Sequence, residues 1–308
     1  MKPIPDSHAL TSVPGARPPR DAHRARPRRR RLGGPVKPWF HLATLTALTA
    51  LAALAPAKSR ANERHFTYTY ETATLPPGTV ELEPWTTVKF GRDHYYARFD
   101  QRLELEAGLA ENLQTALYLN ARTQAQEVPA LGGGAGRVLQ RSSSLRGVSW
   151  ETKWKLADPV ADPLGVALYF EVGLQPHEVG FEGKVLLDKR VGGLLLAFNG
   201  VAELELEREG GKTERKLALE ASLAAGWSVS RRVVVGLEVF VPTVLEDGDE
   251  LQSSALYAGP SVSYAGDAFW AALTVMPQFA RLGGDGTGRL DLVSNERLQA
   301  RLLLGFGR

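Results

Sequence analysis

The sequence predicts an all-β protein: a transmembrane antiparallel up-and-down β-barrel of about twelve strands behind a cleavable signal peptide. Three observations predict it. Segment after segment alternates apolar and polar residues without drifting into a helical spacing, the connections alternate in length, and a basic leader with an apolar run comes first.

The leader separates from the rest by charge. Residues 1–61 hold 12 of the 37 Lys and Arg but only Asp6 and Asp21 of the 34 Asp and Glu. The remaining chain therefore has 25 basic and 32 acidic residues, a formal −7 hidden beneath the +3 of the whole. That removes the main support for a nucleic-acid partner. Within the leader, Arg28 to Arg31 and Lys37 precede the apolar run Trp39 to Ala55, and small residues at Ser59 and Ala61 mark a cleavage site. The run is short for a helical span and rich in Ala and Thr, which favours a cleaved signal over an anchor. The expected organisation is a disordered basic leader and signal peptide over 1–61 and an outer-membrane barrel over 62–308. With no cysteine in the chain, disulfides, thiolate metal sites and cysteine nucleophiles are excluded.

Each strand follows from its parity. In the first, Val80, Leu82, Pro84, Thr86, Val88 and Phe90 oppose Glu81, Glu83, Trp85, Thr87 and Lys89. In the second, Ala97, Phe99, Leu103, Leu105 and Ala107 oppose Arg98, Asp100, Arg102, Glu104 and Glu106. The third sets Leu113, Leu117 and Leu119 against Gln114, Tyr118, Asn120 and Arg122. The fourth sets Val148, Trp150, Trp154 and Leu156 against Ser149, Glu151, Lys153 and Lys155. Val166, Leu168, Phe170 and Val172 against Tyr169 and Glu171 make the fifth; Phe181, Val185 and Leu187 against Glu182, Lys184 and Asp188 make the sixth. The seventh has Leu196, Phe198, Leu204 and Leu206 against Asn199, Glu203, Glu205 and Glu207, and the eighth Leu217, Leu219 and Leu223 against Lys216, Glu220 and Ser222. Val233, Val235, Leu237 and Val239 against Arg232 and Glu238 make the ninth; Leu256, Val262 and Tyr264 against Tyr257, Ser261 and Ser263 make the tenth. The last two set Phe269, Leu273, Val275 and Phe279 against Trp270, Thr274 and Gln278, and Leu298, Ala300, Leu302, Leu304 and Phe306 against Arg297, Gln299 and Arg301.

Several segments keep parity for more than the five or six residues usual in soluble strands, and a tilted bilayer-spanning strand needs about nine to eleven. A soluble sandwich also alternates, but it does not call for strands this long. Starting at the periplasm, the outer connections include TQAQEVPALGGGAGRVLQRSS, EREGGKTE, PTVLEDGDE and RLGGDGTGRLDLVSN, while the inner ones include LAEN, ADPVADP and AGDA. Long outer loops and short inner turns are the barrel pattern. Trp150, Trp154, Trp227, Phe269, Phe279 and Phe306 are expected on the lipid face, as aromatic girdles near the headgroups.

The segments WETKWKLADPVADPLGVALYFE (150–171), EGKVLLDK (182–189), ALYAGPSVSYAGDAFWAALTVMPQ (255–278) and NERLQARLLLGF (295–306) resemble a family of bacterial outer-membrane β-barrel proteins of unassigned function. The resemblance covers the chain beyond the leader and implies the fold, a Gram-negative outer-membrane location and partners in outer-membrane lipid, lipopolysaccharide and the barrel assembly machinery. It supplies no binding residue. Such proteins commonly finish on an aromatic residue, whereas Phe306 stands two positions before the final Arg308.

The charged face is expected to line the lumen, with Arg98, Asp100, Arg102, Glu104, Glu106, Glu151, Lys153, Lys155, Glu171, Glu203, Glu205, Lys216, Glu220, Arg297 and Arg301 as the candidate site residues. One reading is a narrow porin-like channel or transporter for a small polar solute, selected by rings of charge. The other is a structural barrel whose cross-strand ion pairs plug the lumen. A third, an outer-rim lipid hydrolase, draws on His65, His94, His177 and Ser142 to Ser144, but their spacing matches no nucleophile motif and Gly-x-Ser-x-Gly is absent. No enzyme, cofactor or metal is expected; Asp158 and Asp162 of ADPVADP supply too few carboxylates for a calcium loop and fit a Pro-set turn instead.

Overall fold

The protein is seen in a computed structural model that describes residues 63–130, 136–209, 212–246, 250–284 and 288–307. The leader and signal expected over 1–61 lie outside the described residues. The described part contains twelve strands: β1 (Val80–Phe90), β2 (Tyr96–Ala110), β3 (Leu113–Pro129), β4 (Arg137–Ala157), β5 (Gly165–Gln175), β6 (Glu178–Val191), β7 (Leu194–Glu209), β8 (Lys212–Ser228), β9 (Val233–Glu246), β10 (Glu250–Ala265), β11 (Trp270–Gly284) and β12 (Leu298–Gly307).

Every strand pairs antiparallel with its neighbours in sequence, and β1 pairs with β12 from Glu81 opposite Gly307 to Phe90 opposite Leu298. The sheet is therefore a closed barrel without free edges, which backbone polar groups in a hydrocarbon medium require.

The parity assigned from the sequence holds along the twelve strands. Glu81, Glu83, Trp85 and Thr87 of β1 are buried, as are Gln114 and Tyr118 of β3 and Ser222 of β8, while Leu105, Leu117, Leu168, Leu223 and Leu237 stand exposed on the outside. A polar interior beneath an apolar exterior inverts the soluble arrangement and identifies the lipid-facing surface of a membrane-spanning barrel. At the end where β12 finishes, the exposed Trp154, Trp227, Tyr264 and Phe269 form a girdle. In it Phe269 packs 5.8 Å from Tyr264 and 6.2 Å from Phe306, centroid to centroid.

The outer connections differ from expectation in one respect. The long stretch 122–144 is mostly strand, since β3 and β4 stay paired as far as Pro129 and Arg137, and Arg137 to Leu145 are exposed. Residues 131–135 within LGGGAGR lie outside the described residues. The same happens in EREGGKTE and PTVLEDGDE, where β7 runs to Glu209 and β9 to Glu246. Thr, Gln and Val alternate well enough to continue a two-stranded ribbon beyond the bilayer, so much of the asymmetry between the ends lies in strand overhang. RLGGDGTGRLDLVSN is shortened likewise, since β11 runs to Gly284, but 288–297 remain outside the strands. On the inner side, Asp158 of ADPVADP accepts hydrogen bonds from the backbone N–H of Val160 (2.9 Å) and Ala161 (3.1 Å), which sets the turn and holds its carboxyl below the usual carboxylate range.

Candidate functional site

The lumen is not left to its wall. Residues 63–79, ahead of β1, fold up inside the barrel and return to the inner mouth. The alternation Phe66-Thr67-Tyr68-Thr69-Tyr70 aims three aromatic rings at three parts of the wall, and each forms the centre of a buried apolar cluster. Phe66 packs with Leu195, Ala197 and Ala224; Tyr68 with Phe240, Tyr257 and Met276; Tyr70 with Trp85, Tyr169, Leu186 and Trp270.

Inward side chains of the wall satisfy the backbone of this segment, because it has no sheet partner of its own. The Glu238 carboxylate of β9 accepts the N–H groups of Thr67, Tyr68 and Thr69, all at 2.8 Å. Asn199 of β7 both accepts from Tyr70 N–H (2.6 Å) and donates to Tyr70 O (2.9 Å). Asp188 of β6 takes the Thr72 hydroxyl (2.6 Å), and Gln114 of β3 takes Leu75 N–H (3.0 Å). Gly226 and Gly236 lie opposite each other in β8 and β9, and a Cβ on either would come within about 3.0 Å of the Phe66 ring. The pair of glycines is the slot in which Phe66 sits.

Tyr68 and Tyr70 form part of the floor of a chamber of about 360 Å³ in the outer half of the lumen. Of the candidates read from sequence, Arg98, Asp100, Arg102, Glu171, Glu203, Glu205, Glu220 and Arg301 line it. They are largely paired. Asp100 takes both Arg98 and Arg122 at 2.6 Å, Arg102 reaches Glu171 at 3.3 Å and Asn120 at 2.9 Å, and Lys184 holds Glu182 at 2.8 Å. Arg301 bonds Thr87 at 2.9 Å and lies 4.0 Å over the Tyr68 ring, tying the floor to β12. Lys216, bonded to Glu205 at 2.7 Å, belongs to the outer mouth with Arg146 and Glu178.

The other candidates lie elsewhere. Glu104, Glu106, Glu151 and Lys153 are buried deeper, toward the inner end, together with Glu81 and Glu83. Lys155 is at the inner mouth, 3.8 Å from Asp158. Arg297 lies outside the chamber: it precedes β12 at the outer rim and is exposed there, while its backbone continues the pairing of Leu298 through Gly91 O (2.7 Å) and Gln278 N–H (2.8 Å). Its neighbour Glu296 is buried instead and pairs with Arg92 at 2.6 Å; burial would raise its carboxyl, but Lys89 and Arg92 more than offset this and hold it below the ordinary range. The parts of the hydrolase reading stay apart: His65 bonds Glu71, His94 bonds Asp93, and Ser143 faces Thr123 on the β3–β4 ribbon.

A family model matches residues 58–183 and 193–307, nearly the whole of the barrel and the segment inside it. The chain belongs to DUF6662, a family of unknown function. For this family member, no curated protein gives a match. Among solved structures it is similar to the NanC porin, at 10% identity and TM-score 0.47, over 73% of this chain and 98% of that one. It is also similar to the translocator domain of the autotransporter NalP from Neisseria meningitidis, at 11% identity and TM-score 0.46, over 87% of this chain and 95% of that one. LpxR from Salmonella typhimurium follows at 11% identity and TM-score 0.41, over 74% of this chain and 99% of that one. At these scores the likeness carries no functional conclusion for DUF6662.

Proposed function

We propose that the protein is a Gram-negative outer-membrane barrel that handles a small polar solute by transport, not catalysis, through a lumen gated by its own N-terminal segment. In this reading the chamber above Tyr68 and Tyr70 receives the solute from outside through the mouth between Arg146, Glu178 and Lys216. Release to the periplasm requires residues 63–75 to leave the lumen.

The observation that carries the reading is how the segment is held. Its backbone is fastened by Glu238, Asn199 and Asp188, all polar groups, and such contacts can be exchanged for water when the segment moves. A plug meant to be permanent has no need of a charged, partly empty chamber above it. The mixed lining of paired Arg, Lys and carboxylates supports a polar solute and leaves little net preference for one sign of charge.

Planar-bilayer recordings test this. The mature protein should stay closed or open only in brief events, while a variant lacking residues 63–74 should show steady channels. Steady conductance of the intact protein would refute the gate. A closed deletion variant, shown to be folded by heat-modifiable gel migration, would instead favour a structural barrel.

A further inference from the structure

Beneath the N-terminal segment, the wall sets like charges face to face. Glu81 of β1 lies opposite Glu106 of β2, and Glu83 lies opposite Glu104. Across β3, Ala116 is the register partner of both Glu106 and Glu151, so a small side chain separates two carboxylates on the same level of the lumen. Directly opposed like charges are destabilising in a sheet, and burial worsens the repulsion.

These side chains are shut away from solvent: Glu83, Glu104 and Glu151 are at most 1% exposed and Glu106 5%. Some of their oxygens have donors. Trp85 Nε1 donates to Glu83 at 3.0 Å and Gln114 Nε2 to Glu106 at 3.1 Å. Five have none: both oxygens of Glu104, both of Glu151 and one of Glu106. The cations facing the group are Arg64, whose guanidinium is stacked 3.9 Å over Tyr70 and 4.8 Å over Trp85, the buried Lys153 of β4, and Arg102 and Lys184, which are already paired with Glu171 and Glu182. Counting Glu81, five carboxylates meet four cations, two of which are engaged by carboxylates outside the group.

We propose that Glu83, Glu104, Glu106 and Glu151 form a calcium site inside the barrel. Calcium takes about six to eight oxygens at about 2.3–2.6 Å, so two oxygens on one ion lie at most about 5 Å apart. One oxygen from each of Glu83, Glu104 and Glu106 falls within 4.8 Å of the others. Glu151, fully buried with both oxygens lacking a donor, lies outside that trio on the far side of Ala116 and is the proposed fourth ligand. Calcium is favoured over magnesium because a wall of carboxylates, able to bind through one oxygen or two, tolerates irregular geometry, whereas magnesium keeps a strict octahedron and most of its water. The ion would convert repulsion between β1, β2 and β4 into a cross-link below the N-terminal segment. All four carboxylates belong to the wall, so the site does not depend on the gating reading.

Trp85 offers a direct readout, since its indole bonds a proposed ligand. The full barrel in detergent, stripped with chelator, should bind one terbium ion per chain, with emission excited through tryptophan. Calcium should displace it, and magnesium at equal concentration should not. Replacing Glu104→Gln and Glu151→Gln together keeps shape but removes two charges, and should weaken calcium binding more than tenfold by calorimetry. Trp85→Phe should dim the emission. Calorimetry on the unmodified barrel decides even if the double variant fails to fold: one calcium per chain supports the site, and no binding by heat-modifiable protein overturns it. Equal displacement by magnesium, or unchanged calcium affinity in a folded double variant, also overturns it.

Discussion

Replacing Glu238 with glutamine should loosen the N-terminal segment while leaving the barrel intact. The carboxylate takes Thr67 N–H on one oxygen and Tyr68 and Thr69 N–H on the other, each at 2.8 Å. A hydrogen bond to a charged group contributes about 1.5–3 kcal/mol and a neutral one about 0.5–1.5 kcal/mol. An amide has a single oxygen. Turned to keep Tyr68 and Thr69, it presents its NH2 to Thr67 N–H and to the Thr67 and Thr274 hydroxyls; the hydroxyls can reverse and accept, so one bond is lost and two weaken by about 1 kcal/mol each. The cost is about 3–5 kcal/mol. Even the lower figure multiplies local opening by about 100, since 1.4 kcal/mol is a factor of ten. Hydrogen exchange read by mass spectrometry, on a peptide covering 63–72, is the assay. Exchange there should accelerate by that factor or more, with β5 and β6 unchanged. Unaltered protection of 67–69 would refute the anchoring role of Glu238, and an equal loss in every strand would mean that the residue stabilises the whole barrel.

Other outcomes follow from the same geometry. Leu237→Arg, on the lipid face, should cost about 2–4 kcal/mol in unfolding experiments, whereas Val201→Arg, which enters the chamber opposite Glu220, should cost less; equal costs would contradict the assigned faces. Gly226→Ala should destabilise by about 1–3 kcal/mol through its clash with Phe66, and Phe66→Ala should relieve part of that cost, so additive effects in a double-mutant cycle would exclude the slot. In this cysteine-free chain, single cysteines at Leu139 and Val293 should label in intact cells and one at Val160 only after lysis; the reverse pattern would invert the orientation. Because the Glu296 carboxyl is held below its ordinary value, the Arg92–Glu296 clamp should be fully present above pH 4.5 and lost as pH falls through the lower folded value. Pepsin should then cut the β11–β12 connection faster, a pH step that Glu296→Gln should abolish.

Several particular residues mark where the sequence stopped being readable. The faces of the strands were legible because side chains alternate with a period of two and the barrel opposes lipid to a polar lumen, so Glu104 and Leu105 declare opposite sides without any knowledge of their neighbours. Arg297 keeps that parity and its backbone extends the pairing to Gly91 and Gln278, yet it stands at the outer rim, where parity alone does not tell an enclosed side chain from an exposed one. The ribbon of β3 and β4 beyond the bilayer was hidden because polar alternation reads alike in a loop and in a solvated strand. Residues 66–72 alternate as clearly as a strand, but what they pack against depends on β6, β7 and β9, which lie more than a hundred positions away.

By itself, then, the sequence determined the number of strands and which side chains meet lipid, since both are local properties of an extended backbone. Only the tertiary structure decided that β1 closes on β12, that Gly226 and Gly236 open a slot for Phe66, and that five buried carboxylates gather beneath the N-terminal segment. Those depend on register and on the curvature of a closed sheet, which bring residues from distant strands to one level of one lumen. No stretch of sequence contains that distance.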